Sequence, residues 1–369
     1  MNIRGNRWKS IWMEENNSCI GVINQVKLPY VFQTCILRTC DEVVEAISSM
    51  LVRGAPLIGV VAAYGLMLAM KDDPSDRNLS LAYQKLNSSR PTAVNLRWAL
   101  ERVSSKLFNL KPSERFLAAK IEADLIADED MRMCESIGNY GLEIIQDLIR
   151  QKPLNKQQEP FNVLTHCNAG WLATVDWGTA LAPIYKAHRA GIEMHVWVDE
   201  TRPRNQGASL TTFELAAEGV PHTLIVDNSG GYLMQKNMVD LVIVGADRVS
   251  SNGDACNKIG SYLKALAAKD NNIPFFVAIP SSTIDWSICD GIKEIPIELR
   301  SEDEVRNIQG LSIGDGSQKP TYFSIVSDST KIFNPAFDVT PARLISGFIT
   351  DQGIVLDIRK DSLKSLYLN

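Results

Sequence analysis

The chain has 369 residues, 45% hydrophobic and 22% charged, with a formal net charge of −5 and a pI near 5.6. This is ordinary globular composition with ample material for a core, and it excludes a general electrostatic pull toward nucleic acid or an anionic membrane. At roughly 100–200 residues per domain, two domains fit the length, and an anionic ligand would need a local cationic pocket.

The first ten residues carry no apolar segment, which argues against a secretory leader. Residues 22–24 and 30–34 read as short strands. Thr39-Cys40-Asp41-Glu42 has the Thr-x-x-Glu form of a capping box and opens a helix with apolar Val43, Val44, Ile47 and Leu51. A second helix follows Pro56, a residue suited to a first turn. Residues 54–70 are uncharged for 17 positions. A membrane span takes about 20, and the Gly-Ala-Pro start between Arg53 and Lys71 marks a buried core helix instead. A third helix follows Pro91-Thr92. A long helical stretch covers 113–150, softly broken around Gly138 and Gly141. Residues 151–160 are polar, carry Pro153 and Pro160, and read as an exposed connection.

Beyond it the pattern changes. Apolar runs at 162–167, 194–199, 223–227, 241–247 and 275–280 alternate with helical stretches such as 173–190 and 255–270. A further helix is expected at 341–350. Continuous apolar runs between helices imply a parallel sheet covered on both faces. The expectation is an α/β protein: a small, mainly helical N-terminal domain over 1–150 with a few short strands, and a Rossmann-like, doubly wound parallel-sheet domain over 151–369.

Seven cysteines, an odd number with no C-x-x-C, argue against a disulfide framework or a structural zinc site and fit a reducing, cytoplasmic compartment. The four histidines (His166, His188, His195, His222) have no metal-ligand spacing. No phosphate-binding G-x-x-x-x-G-K, no G-x-G-x-x-G after a strand and no G-x-S-x-G occurs, so nothing calls for a nucleotide or a serine nucleophile. No cofactor and no metal are expected.

Four apolar runs end in Cys167, Asp199, Asp227 and Asp247. Ligands of open α/β sheets bind beyond the carboxyl ends of the strands, so each is a candidate by position. For any one aspartate, a turn or cap role is the equal alternative. Two further segments place an arginine before a helix start: Arg53-Gly54-Ala55-Pro56 and Arg90-Pro91-Thr92. A helix N-terminus with an adjacent guanidinium is a phosphate cradle in outline. Thr165-His166-Cys167-Asn168-Ala169-Gly170 would set a thiol at a strand end against a helix start, where its pKa falls. Asp199-Glu200-Thr201-Arg202-Pro203-Arg204-Asn205-Gln206-Gly207 is too polar for scaffold alone. Gly245-Ala246-Asp247-Arg248 leads to Asn252-Gly253-Asp254 and Asn257-Lys258-Ile259-Gly260.

In this order, and with Asn334-Pro335-Ala336-Phe337-Asp338-Val339-Thr340-Pro341 near the C-terminus, these segments resemble the methylthioribose-1-phosphate isomerases over nearly the whole chain. That family is related to regulatory subunits of a translation-initiation exchange factor and shares its fold with ribose-1,5-bisphosphate isomerases. The resemblance implies a homodimer whose partner is a small sugar phosphate. It implies that Cys167 and Asp247 are catalytic, and that Arg53, Gly54, Ala55, Arg90, Gln206, Asn257 and Lys258 bind substrate. Ser209 stands where the family commonly has an arginine, and Ser251 where many members have alanine. Trp171 and Trp177 also vary among relatives.

The implied reaction turns 5-methylthio-α-D-ribose 1-phosphate into 5-methylthio-D-ribulose 1-phosphate. Asp247, at the end of an apolar run, is the expected acid, since burial raises a carboxyl pKa. Cys167 takes a proton from C2, or a hydroxyl proton if hydride moves from C2 to C1. The rival readings are an isomerase of 5-deoxyribose 1-phosphate or ribose 1,5-bisphosphate, and a non-catalytic regulatory subunit.

Overall fold

The computed structural model describes residues 1–3, 5–14, 17–312, 320–356 and 362–367. The N-terminal segment opens with a two-rung ladder, β1 (Asn2–Ile3) with β2 (Asn6–Arg7). An antiparallel sheet follows, β3 (Ile11–Met13), β4 (Ile20–Ile23) and β5 (Thr34–Leu37). Thr39 caps α1 (Cys40–Ser48), its Oγ1 accepting the Glu42 N–H at 3.2 Å. Then come α2 (Ala55–Asp72), α3 (Asp76–Ser89), α4 (Val94–Leu107) and α5 (Pro112–Gln151). Residues 55–70 of α2 are all buried, because α1, α3, α4 and α5 surround it. Its uninterrupted apolar sequence therefore has a core explanation; it is the one described helix long and apolar enough to cross a membrane.

The second half is built on β6 (Phe161–Thr165), α6 (Leu181–Arg189), β7 (Met194–Asp199), α7 (Thr212–Ala217), β8 (His222–Ile225), α8 (Ser229–Gln235) and β9 (Leu241–Val244). Next are β10 (Arg248–Ser250), β11 (Ala255–Lys258), α9 (Ser261–Asp270), β12 (Phe275–Ile279), β13 (Ile284–Asp285), α10 (Gly291–Glu294) and α11 (Asp303–Arg306). The chain continues through the hairpin β14 (Asn307–Leu311) and β15 (Pro320–Ser324), then β16 (Phe337–Thr340), β17 (Gly347–Thr350), β18 (Gly353–Val355) and α12 (Ser362–Tyr367).

The large sheet has the order β18-β17-β12-β9-β6-β7-β8, parallel throughout except for edge strand β18. Its side chains alternate between two cores, as a pleated strand requires. Val163, Val196, Ile243, Phe276 and Ile349 pack with Ile137 and Ile145 of α5 and Ile184 of α6. Leu164, Val242, Val244, Phe275 and Phe348 pack with Leu233 of α8 and Ala265 of α9. Both faces are thus covered. Strand order reverses at β6, which has β7 on one side and β9 on the other, so the ends of β6 and β9 form the crevice where such sheets bind ligands. A second sheet, β13-β10-β11-β16, grows out beyond β9.

Several local expectations are corrected. A turn ends at Tyr30 and residues 31–33 are irregular, so the strand is Thr34–Leu37, fixed by pairing with β4. Helix α3, capped by Ser75, was not anticipated. Helix α5 is unbroken over 40 residues. Gly138 and Gly141 are contact points rather than breaks: a Cβ at Gly141 would lie 2.2 Å from Pro183 Cγ, so glycine lets α6 approach. The helix in 173–190 begins only at Leu181. The helix in 255–270 begins at Ser261, since 255–258 pair with both β10 and distant β16. Residues 341–350 give one 3-10 turn and strand β17, paired in parallel with β12. At 34–37, 255–258 and 347–350, long-range pairing overrides local preference.

Candidate active site

Cys167 lies two residues past the end of β6, and Asp247 three past the end of β9. Both line one narrow crevice with Arg53, Gly54, Ala55, Asn168 and Asn257. Cys167 is buried and has φ 69°, a left-handed conformation costly for a residue with a Cβ. Two threonines hold that turn: Thr201 Oγ1 accepts the Cys167 N–H at 2.8 Å, and Thr211 Oγ1 donates to its carbonyl at 2.7 Å.

The helix start facing Cys167 belongs to α2, not to the segment that follows the cysteine. Gly54 precedes α2 at φ 100°, and a Cβ there would lie 2.4 Å from Ala173 Cα, so only glycine permits this approach. Among the described residues no side chain caps α2, leaving the Ala55 and Leu57 N–H groups without a side-chain acceptor there, with Pro56 between them. Arg53 forks onto Asn168, Nη1 to Oδ1 at 2.5 Å and Nη2 to the carbonyl at 2.9 Å. Asn168 in turn donates to Glu214 Oε1 at 2.8 Å. Glu214 is fully buried and also accepts from the Trp171 N–H, the Leu172 N–H and the Tyr185 hydroxyl. Burial pushes its carboxyl up to about 7, although these four donors pull the other way.

Asp247 is half-buried, contrary to the expected burial of a strand-end residue. Its backbone N–H bonds to the Cys256 carbonyl at 2.9 Å, while its carboxylate takes no hydrogen bond from the described residues. It is common to the crevice and to an adjoining space lined by Arg90, Arg248 and Phe337. The other strand-end aspartates are structural. Asp227 accepts the Thr201 and Arg202 N–H groups, and Asp199 is sealed against His166.

Four cations converge here. The Arg90 side chain is nearly buried, lies 3.7 Å from Glu298, and leaves Nε without a partner among the described residues. Burial lowers its pKa, with Arg300 and Arg53 acting in the same sense. Lys258 is 3% exposed and donates to the Ala336 carbonyl at 2.8 Å. Burial pulls it down to about 8, helped by Arg300 and opposed by the charges of Cys167 and Asp247. Arg300 donates to Glu298 through Nε at 2.8 Å and shares the Phe337 ring with Lys258. Cations this close disfavour one another's charge, so an anion bound among them would be held favourably. Sequence reasoning missed Arg300. It lies in an irregular stretch before α11 with no motif around it, and only the fold brings it to Lys258.

Asn257 donates to Ser261 Oγ at 2.9 Å. Gln206 stands apart from Cys167 and Asp247. With Arg53 it lines a cleft of about 400 Å³ whose walls include Val26, Leu28, Met50, Ser209, Leu210 and Tyr322. Its Oε1 is buried without a partner among the described residues. The crevice at Cys167 and Asp247 is far smaller, about 30 Å³. Arg53 belongs to both spaces.

His166, Asp199 and Asp227 offer ligand atoms within 4.8 Å of one another, a grouping that histidine spacing could not reveal because three strands supply it. Lys264 already serves this group as a cation: its ammonium is 3.1 Å from Asp199 Oδ2 and also donates to the Asp227 carbonyl.

A model of the initiation factor 2 subunit family matches residues 51–356. The chain belongs to the initiation factor 2 subunit family. Among its relatives in sequence, the methylthioribose-1-phosphate isomerase of Methylocella silvestris is 56% identical over 355 residues, covering 96% of this chain and 95% of the relative. That of Gluconobacter oxydans is 53% identical over 368 residues, covering 100% and 98%. Among solved structures, 5-methylthioribose 1-phosphate isomerase from Pyrococcus horikoshii OT3 superposes with a TM-score of 0.81 at 37% identity, covering 100% of this chain and 99% of that one. The delta subunit of translation initiation factor eIF-2B from A. fulgidus gives 0.78 at 36% identity, covering 98% and 100%. The fold of this family therefore spans isomerases and factor subunits alike, and overall shape does not separate them.

Proposed function

We propose that this protein isomerises 5-methylthio-α-D-ribose 1-phosphate to 5-methylthio-D-ribulose 1-phosphate, an aldose–ketose step of methionine salvage. The observation that carries the reading is 56% identity, over 96% of this chain, to a protein named for this activity. The crevice supports it chemically, because a thiol, a carboxylate without a hydrogen-bond partner among the described residues and a cluster of cations meet at the switch point of the sheet. We read residues 151–369 as a Rossmann-like catalytic domain and residues 1–150 as a helical domain that contributes Arg53, Gly54, Ala55 and Arg90. We place the enzyme in the cytoplasm as a homodimer.

In this reading Arg53, Arg90 and Lys258 hold the 1-phosphate with charge-assisted hydrogen bonds, and the start of α2 adds its free N–H groups. Arg300 reinforces the same charge. Asn257 and Gln206 bind sugar hydroxyls. The apolar side chains Val26, Leu28, Met50 and Leu210 of the cleft beside Gln206 take the 5-methylthio end. The anomeric oxygen carries the phosphate, so the ring cannot open to a free aldehyde. Asp247 gives a proton to the ring oxygen as its bond to C1 breaks. In one route Cys167 removes the C2 proton, a proton arrives at C1, and the C2 hydroxyl loses its own to become the ketone. In the other, hydride passes from C2 to C1 and Cys167 takes only the hydroxyl proton. Deuterium from solvent appearing at C1 would eliminate an obligatory hydride route.

The test is turnover of methylthioribose 1-phosphate by the purified protein, beside 5-deoxyribose 1-phosphate and ribose 1,5-bisphosphate. Preferred turnover of the methylthio sugar supports the assignment. Turnover of the bisphosphate alone would replace the substrate, and no turnover of any sugar would favour a regulatory subunit.

A further inference from the structure

Behind the crevice lies a buried group that the reaction does not use. His166 is 1% exposed and precedes Cys167 directly. Its Nδ1 lies 2.7 Å from Asp199 Oδ2, and its Nε2 lies 2.8 Å from the Ile259 carbonyl. A carbonyl oxygen only accepts, so Nε2 carries a proton and donates it. The ring therefore links two chain segments. One holds Cys167 and Asn168. The other holds Asn257 and Lys258, immediately before Ile259. Gly260, at φ 106°, completes the fit, since a Cβ there would lie 2.9 Å from His166 Cε1.

The far side of the ring is anchored as firmly. Asp199 is fully buried, and the Lys264 ammonium sits 3.1 Å from the same Oδ2. The Asp199 carbonyl accepts the Thr201 hydroxyl at 2.9 Å, and that oxygen in turn accepts the Cys167 N–H. Cys167 is thus held from both flanks, by Thr201 through its own backbone and by His166 through the preceding residue. Burial of an ionic pair is weak evidence for stability by itself. Here its geometry does something specific: it sets the spacing between a strained thiol turn and a strand that carries a buried cation.

We propose that His166 is a positioning residue that fixes Cys167 relative to the Asn257–Lys258 pair, with Asp199 and Lys264 as its anchor. The proposal rests on the reading of Cys167 and Lys258 as site residues. His166 is not among the residues lining the crevice, unlike Cys167, Asn168 and Asn257.

Two substitutions separate the two ends of the ring. The amide of Asn at this position reaches toward Asp199 as Nδ1 does, but cannot reach the Ile259 carbonyl. The amide of Gln reaches that carbonyl as Nε2 does. His166→Asn is expected to lower kcat for methylthioribose 1-phosphate at least 30-fold with KM changed less than threefold. His166→Gln is expected to restore kcat to within fivefold of the parent. In parallel, alkylation of Cys167 by iodoacetamide, followed on its own peptide by mass spectrometry, should speed up at least threefold in His166→Asn and return to the parent rate in His166→Gln. Equal loss of kcat in both variants with equally lowered Tm would reduce His166 to a fold residue and overturn the proposal. So would parent-like kcat and alkylation in His166→Asn. An inactive parent protein would overturn the isomerase reading instead, and the alkylation rates would still decide the positioning role.

Discussion

Arg53 grips Asn168 with both arms of its guanidinium, one on the side-chain oxygen at 2.5 Å and one on the backbone carbonyl at 2.9 Å. This fork ties the residue before helix α2 to the residue after Cys167, so the helix start and the thiol turn hold one another in place. A lysine offers a point charge without the planar fork. Arg53→Lys is therefore expected to weaken both the phosphate contact and this tie, raising KM for the sugar phosphate about tenfold or more, the equivalent of one charged hydrogen bond. Steady-state kinetics checks it. Unchanged KM would show that the charge alone suffices.

Cys167→Ser and Asp247→Asn separate chemistry from folding. Each keeps the size of its parent and removes one proton-handling group, a contribution of about 10²–10⁴ in rate for general acid–base catalysis. Asp247 makes no side-chain hydrogen bond with the described residues, so Asn there should leave Tm within a degree or two of the parent. The expected outcome is a fall in kcat of that order in each variant with an unchanged melting curve. Full activity in either would remove that residue from the mechanism.

Lys258 makes the pH dependence specific. Burial and Arg300 pull its ammonium down to about 8, from an ordinary value of 10.5. Below that pH the charge is present and available to phosphate; above it the charge is lost. The profile of kcat/KM, which reports groups of the free enzyme, should fall on the alkaline side with a midpoint near 8. Lys258→Arg keeps its charge and should remove that limb. The same shift works against stability. Between about 8 and 10.5 the unfolded chain holds a proton that the folded chain does not, so this group's cost is full below about 8 and is relieved as pH rises. Lys258→Met should accordingly melt higher at pH 7 while binding phosphate less well.

Glu214 gives the opposite case, a raised carboxyl. Its folded value of about 7 lies above the ordinary 4.5, so between those values the folded chain holds the extra proton. Its contribution to stability is present at the acid end and declines as pH rises through that window. Glu214→Gln removes the titration but sets an NH₂ against two of the four donors, whichever oxygen it replaces, costing about 1–3 kcal/mol per unsatisfied donor. Melting curves from pH 5 to 8 should show the parent losing more Tm than the variant across this range, with the variant lower throughout. Parallel curves would show that Glu214 does not titrate there.

Much of this was legible in the chain itself. The uncharged stretch at 54–70 could only be a core helix once Gly54 and Pro56 opened it and charges bounded it, and α2 is buried on all sides. Thr39 and Glu42 announced a helix start through their own hydrogen bonds, which act over three residues and need nothing distant. The apolar runs announced strands, because a strand covered on both faces has no room for polar side chains. Cys167 and Asp247 stood out because those runs end near them.

The tertiary structure decided everything that depends on who lies beside whom. Residues 255–258 have no strand preference of their own, yet they are β11 because β10 and β16 offer hydrogen-bond partners from both sides. Residues 347–350 became a strand through pairing with β12. Arg300 joined Lys258 over the face of Phe337, and His166 reached the Ile259 carbonyl, across separations that no sequence window spans. Local chemistry such as capping, periodicity and backbone restriction is written residue by residue, so the sequence determined it alone. The electrostatics of a buried site depends on distances between groups far apart in the chain, and those distances exist only once the sheet has closed and water has left.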